Sequence, residues 1–538
     1  MSVVHESDVV IVGSGVAAAL LAAQLVRAGI GVTIIEAGQS VQRAQAVKTF
    51  WRSAVKVPEC AYEQTPYAMF PRTDEIDKWY EQAGPQIFKS TYLKVVGGTT
   101  WHWLGTCVRL LPSDFRLKTL FNRGVDWPID YATLEPYYAK AEQEIGVAGN
   151  SDQDLGSPRS SAYPMDAIAQ TYSDQVISKA LANSEYEVSA TPQGRNSVDR
   201  ASRPACCGSA SCIPVCPIQA KYDATVHLRQ AVSLGAKLHE RTTAVRLELD
   251  ETGAIKGIRC RRWDLSEVTF FAKHYVLACH AIETPRLLLA SRSANLPMGV
   301  SNRSDQVGRN LMDHPIQVSW AMSRDPLYQY RGPLSTSGIE NLRDGNVRRS
   351  RSALRIEIGN DGWNWPTGGV PTTARDLISQ GLRDKPLGQA IATQAARQLR
   401  LAALTEQLPD SDNRVTLDPT ATDIYGVPKP KLHYDLDEYV LEGLKAATHE
   451  HEKIFGLLQA TGIMHMPTYQ GAGHIMGTVR MGIDPQSSVV DADLRSHDHP
   501  NLWMVGSGVF PTGGTANPTL TIAALSLRLA AKLVGQLT

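Results

Sequence analysis

Four cysteines fall within eleven residues, Cys206-Cys207-Gly-Ser-Ala-Ser-Cys212-Ile-Pro-Val-Cys216, and Pro217 follows. Thiolates are soft ligands, and a dense run closing in C-x3-C-P is how bacterial ferredoxin segments hold an iron–sulfur cluster. Neighbours in sequence such as Cys206 and Cys207 can hardly reach two corners of one cube. Three thiolates, one from that pair plus Cys212 and Cys216, favour a three-iron 3Fe-4S cluster. Two plainer readings stay open. A zinc site usually pairs two clips a dozen or more residues apart, and no second clip occurs; a vicinal disulfide between Cys206 and Cys207 would be strained. The remaining cysteines, Cys60, Cys107, Cys260 and Cys279, are scattered and read as small buried residues.

A second chemical motif opens the chain. Gly13-Ser-Gly15-Val-Ala-Ala18 lies between an apolar strand, Asp8 to Val12, and an Ala/Leu-rich helix reaching about Ala28. A second strand, Gly31 to Ile35, ends in Glu36. This is the G-x-G-x-x-A unit of a dinucleotide-binding βαβ fold. Gly13 permits the tight turn, Gly15 lets backbone approach a pyrophosphate at the helix N-terminus, and Ala18 lets helix and strand pack closely. Glu36 is placed to accept the ribose hydroxyls. A cluster moves single electrons, so beside a two-electron flavin it implies electrons leaving to another protein.

The elements that must position these groups come from distant parts of the chain. His274 to Ala278 reads as a strand running into the turn at Glu283-Thr-Pro285. Asn501 to Val505 reads as another, followed by Gly506-Ser-Gly508 and a helix from about Asn517 to Leu537. With 538 residues the chain is long enough for two domains. Lys+Arg and Asp+Glu both number 54, so charge gives no reason to expect nucleic acid as a partner. No spanning helix is expected, because the best apolar stretch, Leu520 to Val534, is interrupted by Arg528 and Lys532. Val16 to Val26 has the look of a signal-peptide apolar region, yet no Lys or Arg precedes Arg27. Cytoplasmic residence is the plain reading of that segment; export already folded, with a partner carrying the signal, is the other.

Further segments carry a family resemblance: Gly97-Gly98-Thr99-Thr-Trp101-His102-Trp103; Glu283-Thr-Pro285; Val307-Gly308-Arg-Asn310-Leu-Met-Asp313-His314-Pro315; His474-Ile-Met-Gly477-Thr-Val-Arg-Met-Gly482; and Asn517-Pro518-Thr519-Leu-Thr521. With the N-terminal fingerprint they span the chain in order, and the chain resembles the glucose–methanol–choline oxidoreductases, flavoproteins that oxidise alcohols. The cysteine run narrows the likeness to the catalytic subunits of bacterial FAD-dependent glucose, fructose and gluconate 2-dehydrogenases. The resemblance implies an α/β (α+β overall) fold with a discontinuous Rossmann-type FAD-binding domain, residues 1–83, 206–324 and 469–538. A substrate domain on a mixed or antiparallel sheet would take residues 84–205 and 325–468.

The same resemblance implies the chemistry. His474 would take the hydroxyl proton of a sugar, sugar acid or polyol, and Asn517 would hold the alcohol oxygen while hydride passes to the flavin N5. FAD would be contacted by Gly13, Gly15, Ala18, Glu36, Gly97, Gly98, Thr99, His102, Gly508 and Thr519. Imidazole titrates near neutrality and suits the base. Each residue has a plainer alternative. His474 could satisfy a backbone carbonyl, and Asn517 could be a helix cap. His102 could stack on the flavin, bond it covalently or pack in the core. Asp313-His314-Pro315 reads as structural. Tyr328, Tyr330, Trp363 and Trp365 are candidate sugar-stacking aromatics.

Electrons would pass through the cluster to an outside acceptor, since no C-x-x-C-H haem site occurs in the chain. The implied partners are a small exported subunit and a multihaem cytochrome c, which would hold the enzyme at the periplasmic face of the inner membrane. A cluster-less oxidase using oxygen, and a redox-sensing or electron-shuttle protein, are the competing functions.

Overall fold

The computed structural model describes residues 4–53, 58–69, 77–360 and 370–538. Trp363 and Trp365 lie outside the described residues. A first sheet is built on Val4–Val12, whose Val9 to Val12 are all buried, as a strand covered on both faces requires. On one side it pairs in parallel with Val32–Ile35, which in turn pairs with Lys237–His239. On the other it pairs with Glu267–Leu277, from Val4 opposite Thr269 to Val12 opposite Leu277. That strand is longer than the expected His274 to Ala278. Its far edge takes Leu502–Met504 in parallel and Ile255–Arg262 antiparallel. Segments hundreds of residues apart therefore meet at the carboxyl ends of adjacent parallel strands, where open α/β sheets bind ligands.

A second sheet is antiparallel, in the order Thr461–His465, Pro315–Met322, Gln398–Thr405, Leu354–Ile358, Ser337–Ile339 and Val188–Ala190. One face buries Ile356, Leu401, Ala403 and Ala321 in a cluster with Ile454 and Phe455 of the helix Glu438–Leu457. The opposite face carries Val318, Trp320 and Ala402. Pro315–Met322, placed by sequence with the nucleotide-binding part, belongs to this sheet: its polar start, Asp313-His314, hid the change of sheet. Gln470–Gly471 pairs with the beginning of the same strand and delivers the chain to His474.

The helix Thr519–Leu537 contains the apolar stretch that Arg528 and Lys532 were expected to interrupt. By length and composition alone it could cross a membrane. Its apolar residues are occupied inside the protein, however: Leu520, Ala523, Ala524, Leu527 and Ala530 are buried in one core with Leu20, Leu21 and Leu134. The two charges that seemed to interrupt it face Asp493, with Arg528 at 2.7 Å and Lys532 at 2.7 Å.

Candidate active site

A cavity of about 790 Å³ runs from the carboxyl edge of the first sheet to the start of the second. Two glycine turns contribute to its wall. Gly13 has φ +102°, and a Cβ there would stand 2.4 Å from the Ala278 carbonyl oxygen. Gly98, at φ +56°, packs so closely that its Cβ would lie 3.2 Å from the Gly15 Cα. Only glycine fits such a left-handed, backbone-on-backbone approach. Ser14 donates to Glu36 at 2.6 Å and the Gly38 N–H donates to the other carboxyl oxygen at 2.8 Å. Burial pushes the Glu36 carboxyl upward, against those two donors. A carboxyl oxygen has two lone pairs, so both oxygens still have room for ribose hydroxyls. Volume, glycine cradle and buried acid all fit a dinucleotide-sized flavin.

Of the residues expected to touch it, Gly13, Gly15, Glu36, Gly98, Thr99, His102, His474, Asn517 and Thr519 line this cavity. Ala18 does not; fully buried, it packs the helix on the sheet. Gly97 does not either: its φ of +98° sets the turn, and a Cβ would meet the Trp101 indole at 2.9 Å. Gly508 packs on Val479 and Thr478, and Gly506 and Ser507 take its place in the wall. Tyr328 lines a separate cavity of about 470 Å³ with Tyr172 and Arg331, and Tyr330 stands beside it at 6.2 Å, so neither stacks over the main cavity.

His474 and Asn517 meet, with Nε2 and Nδ2 3.2 Å apart. Asn517 is not the helix cap; Pro518 holds that position. The other ring nitrogen, Nδ1, lies 2.8 Å from Nδ1 of His314, whose Nε2 is 2.9 Å from the Gly514 carbonyl. These contacts assign the protons. A carbonyl only accepts, so neutral His314 carries its proton on Nε2 and accepts at Nδ1. His474 must then donate from Nδ1, which leaves Nε2 unprotonated, an acceptor facing the Asn517 side chain. Burial holds His474 well below its usual pKa, and His314 to about 4, so both rings are neutral. Asp313 accepts the backbone N–H of His474 and of His314, each at 2.8 Å, and the hydroxyl of Ser90. Asp313-His314, read from sequence as structural, supports His474: the His314 ring meets its Nδ1 and the Asp313 carboxyl accepts its backbone N–H. Its signal was present, an Asp-His pair at a strand start, but its target lies 160 residues away.

The cysteine loop packs against the same cavity. Ile213 lines it. The Tyr62 hydroxyl donates to Pro214, and Arg43 donates to the Cys216 carbonyl at 2.7 Å. The Lys221 amine donates to the carbonyls of Trp101 and Trp103, either side of His102, and its own N–H reaches the Cys216 sulfur at 3.5 Å. His102 is edge-on to Tyr62 at 6.3 Å and is held to about 3 by burial and by the Lys221 charge. All four thiols are free; Cys212 and Cys216 are buried, Cys206 is half-buried and Cys207 is exposed. Burial pushes the Cys206 thiol up, and negative charge on Cys212 and Cys216 would push it further, so these three are electrostatic neighbours. Among the described residues no three Cys, His, Asp or Glu converge on one ion. Cluster thiolates sit on separate irons and need not converge so tightly.

Two profiles of the GMC oxidoreductase family match, over residues 10–316 and 409–526. The chain belongs to the GMC oxidoreductases. It is therefore an FAD-dependent oxidoreductase acting on CH–OH donors. It is 36% identical to the fructose dehydrogenase large subunit of Gluconobacter japonicus, covering 99% of this chain and 98% of that one. It is 30% identical to the paromamine 6'-oxidase of Streptomyces fradiae, over 98% and 92%. Pyridoxine 4-oxidase from Mesorbium loti shares the fold, with a TM-score of 0.63 at 17% identity, over 98% and 99%.

Proposed function

We propose that this GMC oxidoreductase is a dehydrogenase that oxidises a hydroxyl-bearing carbon of a sugar, sugar acid or polyol and delivers the electrons to a partner. The observation that carries the reading is the unprotonated Nε2 of His474 against the Asn517 amide, both residues lining the cavity. His474 Nε2 takes the hydroxyl proton. Asn517 has two amide N–H donors, and the one not engaged by Nε2 would hold the substrate oxygen and fix the carbon in place. Bound FAD supplies the hydride acceptor in this chemistry.

Cys206, Cys212 and Cys216 would hold a 3Fe-4S cluster, which supplies one-electron transfer when bound. Cys206 is favoured over Cys207 because it is the half-buried neighbour of the other two. The acceptor would be a multihaem cytochrome c, with a small exported subunit, at the periplasmic face of the inner membrane. The relative in Gluconobacter is itself a large subunit, which supports partners for this chain. The oxidase reading draws on the Streptomyces relative and on the lack of a three-residue ion site among the described residues.

Iron and acid-labile sulfide per flavin separate the two, with electron paramagnetic resonance before and after adding sugars under anaerobic conditions. About three irons per FAD and a cluster signal lost on substrate addition are expected. Flavin without iron, reduced by sugar and reoxidised by air with peroxide formed, makes the chain an oxidase.

A further inference from the structure

The segment bearing Asn517 is gripped by two buried arginines that share one carboxylate, Arg355 on the second sheet and Arg343 in the turn beyond its strand Ser337–Ile339. Arg343 donates from Nε to the Thr515 hydroxyl at 3.1 Å and from Nη1 to Glu340 at 3.3 Å. Arg355 donates from Nε to the other Glu340 oxygen at 2.8 Å, from Nη1 to Glu357 at 2.5 Å and from Nη2 to Thr191 at 3.2 Å. Its Nη1 also reaches Oδ1 of Asn517 at 3.4 Å. Arg355 is fully buried on the strand Leu354–Ile358, and burial of a charge this complete requires such pairing.

A guanidinium only donates. The atom of Asn517 facing Arg355 is therefore the carbonyl oxygen, and the amide nitrogen faces His474. Asn517 must then donate to Nε2. The Gly514 carbonyl, acting through His314, had already assigned the same lone pair from the opposite side. The five groups form a chain of one polarity: Arg355 to Asn517 to His474 to His314 to the Gly514 carbonyl. Each end is a group that cannot exchange roles, so no alternative set of protons satisfies the chain with both rings neutral.

We propose that Arg355 is a positioning residue of the oxidation reaction, fixing the amide orientation of Asn517 so that it donates to Nε2 of His474 and keeps that nitrogen unprotonated until substrate arrives. This rests on His474 and Asn517 acting as described above. Its charge also stands near His474 and opposes protonation of the ring, after burial and His314. Arg343 and Glu406 act on His314, while Glu340 and Glu357 compensate Arg355, and the Asp313 carboxyl lies on the His474 backbone.

The test uses the FAD-loaded enzyme and follows substrate reduction of the flavin against pH, with FAD content as the folding control. R355M is expected to slow flavin reduction about tenfold. Removal of a like charge should also raise the acid limb by about one pH unit. R355K keeps the charge but not the fork, so the rate stays low while the acid limb stays in place. Should R355M fail to hold FAD, R355K carries the test, and a wild-type rate in it overturns the proposal. Nitrogen-15 spectra of labelled histidine report the tautomer directly. His474 should show a protonated Nδ1 and an unprotonated Nε2 in both proteins, because the Gly514 end of the chain holds the tautomer, while the Nε2 resonance shifts in R355M as Asn517 loses its fixed orientation. A protonated Nε2 in wild type, or an unchanged rate, limb and Nε2 resonance in R355M, overturns the proposal. Full flavin reduction in H474A would instead sink the base assignment, and the spectra still decide the role of Arg355.

Discussion

The histidine corner and the cysteine loop both carry redox-relevant residues, and they are held in opposite ways. At the corner, His474, Asn517, His314 and Asp313 come from three segments, and each polar group has a partner of fixed role. The geometry is complete in the protein alone. In the loop, all the candidate ligands come from one stretch of eleven residues, and one of the four thiols is exposed. The backbone lends it single donors, Gly208 N–H to Cys206 at 3.4 Å and Lys221 N–H to Cys216 at 3.5 Å. Acid–base chemistry needs a lone pair aimed before substrate arrives, which folding must supply. Metal ligation supplies its own ordering energy, so the chain need only gather the ligands nearby.

The largest break in this contrast is His474→Ala. It removes the base and leaves Asn517 and His314 without their shared partner, so kcat/KM should fall ~10³-fold. FAD content should stay the same, because the glycine cradle is elsewhere. Steady-state kinetics beside flavin absorbance measure both; loss of FAD together with activity would mean the corner is structural.

The cysteine loop should fail differently. C206S, C212S and C216S are each expected to abolish iron and cut turnover with one-electron acceptors by ~100-fold or more, the upper range for loss of even a supporting partner at a metal site. Substrate should still bleach the flavin in a single turnover. C207S should keep iron and turnover. Iron loss in C207S with retention in C206S would reverse the choice between the adjacent pair.

These two regions also differ in how well the sequence reveals them. The cysteine run and Gly13 to Glu36 are local: spacing alone says what they can hold, and the βαβ elements appear where their apolar runs lie. His474 and Asn517 were legible only through the family's motifs. Arg355 was invisible, since between Leu354 and Ile356 it reads as the polar alternation of an ordinary half-exposed strand. Glu267–Leu277 was cut short because its first half alternates buried Val268 and Phe270 with polar neighbours. That half has an antiparallel neighbour on one side, while Tyr275 to Leu277 is fully buried between two parallel strands. Partnership across hundreds of residues is what periodicity does not encode.

A smaller effect tests whether the corner is as interdependent as its bonds suggest. His314→Leu removes no group that touches the cavity wall, yet it leaves the His474 Nδ1–H and the Gly514 carbonyl unpaired in a buried site. An unsatisfied buried group costs about 1–3 kcal/mol, so kcat should fall roughly ten- to a hundredfold with KM little changed. An equal rise in KM would place the effect in substrate binding.

Asp313→Asn should have the smallest effect and the most specific one. Burial pushes the Asp313 carboxyl up to about 6, against donation from Ser90, His474 and His314. Above that pH it is an anion bonded to the backbone N–H of both histidines, and its charge should favour the positive charge His474 acquires as it takes a proton. In wild type the rate of flavin reduction should therefore rise as pH passes about 6. Asparagine keeps an oxygen for the two backbone N–H groups, and Ser90 can reverse its hydroxyl, so the fold should tolerate it. The rate should drop only a few-fold, as loss of one charge near but not touching the reacting atoms implies, and the inflection near pH 6 should vanish. An inflection that survives in Asp313→Asn belongs to another group, and Asp313 then holds the two histidines through geometry alone.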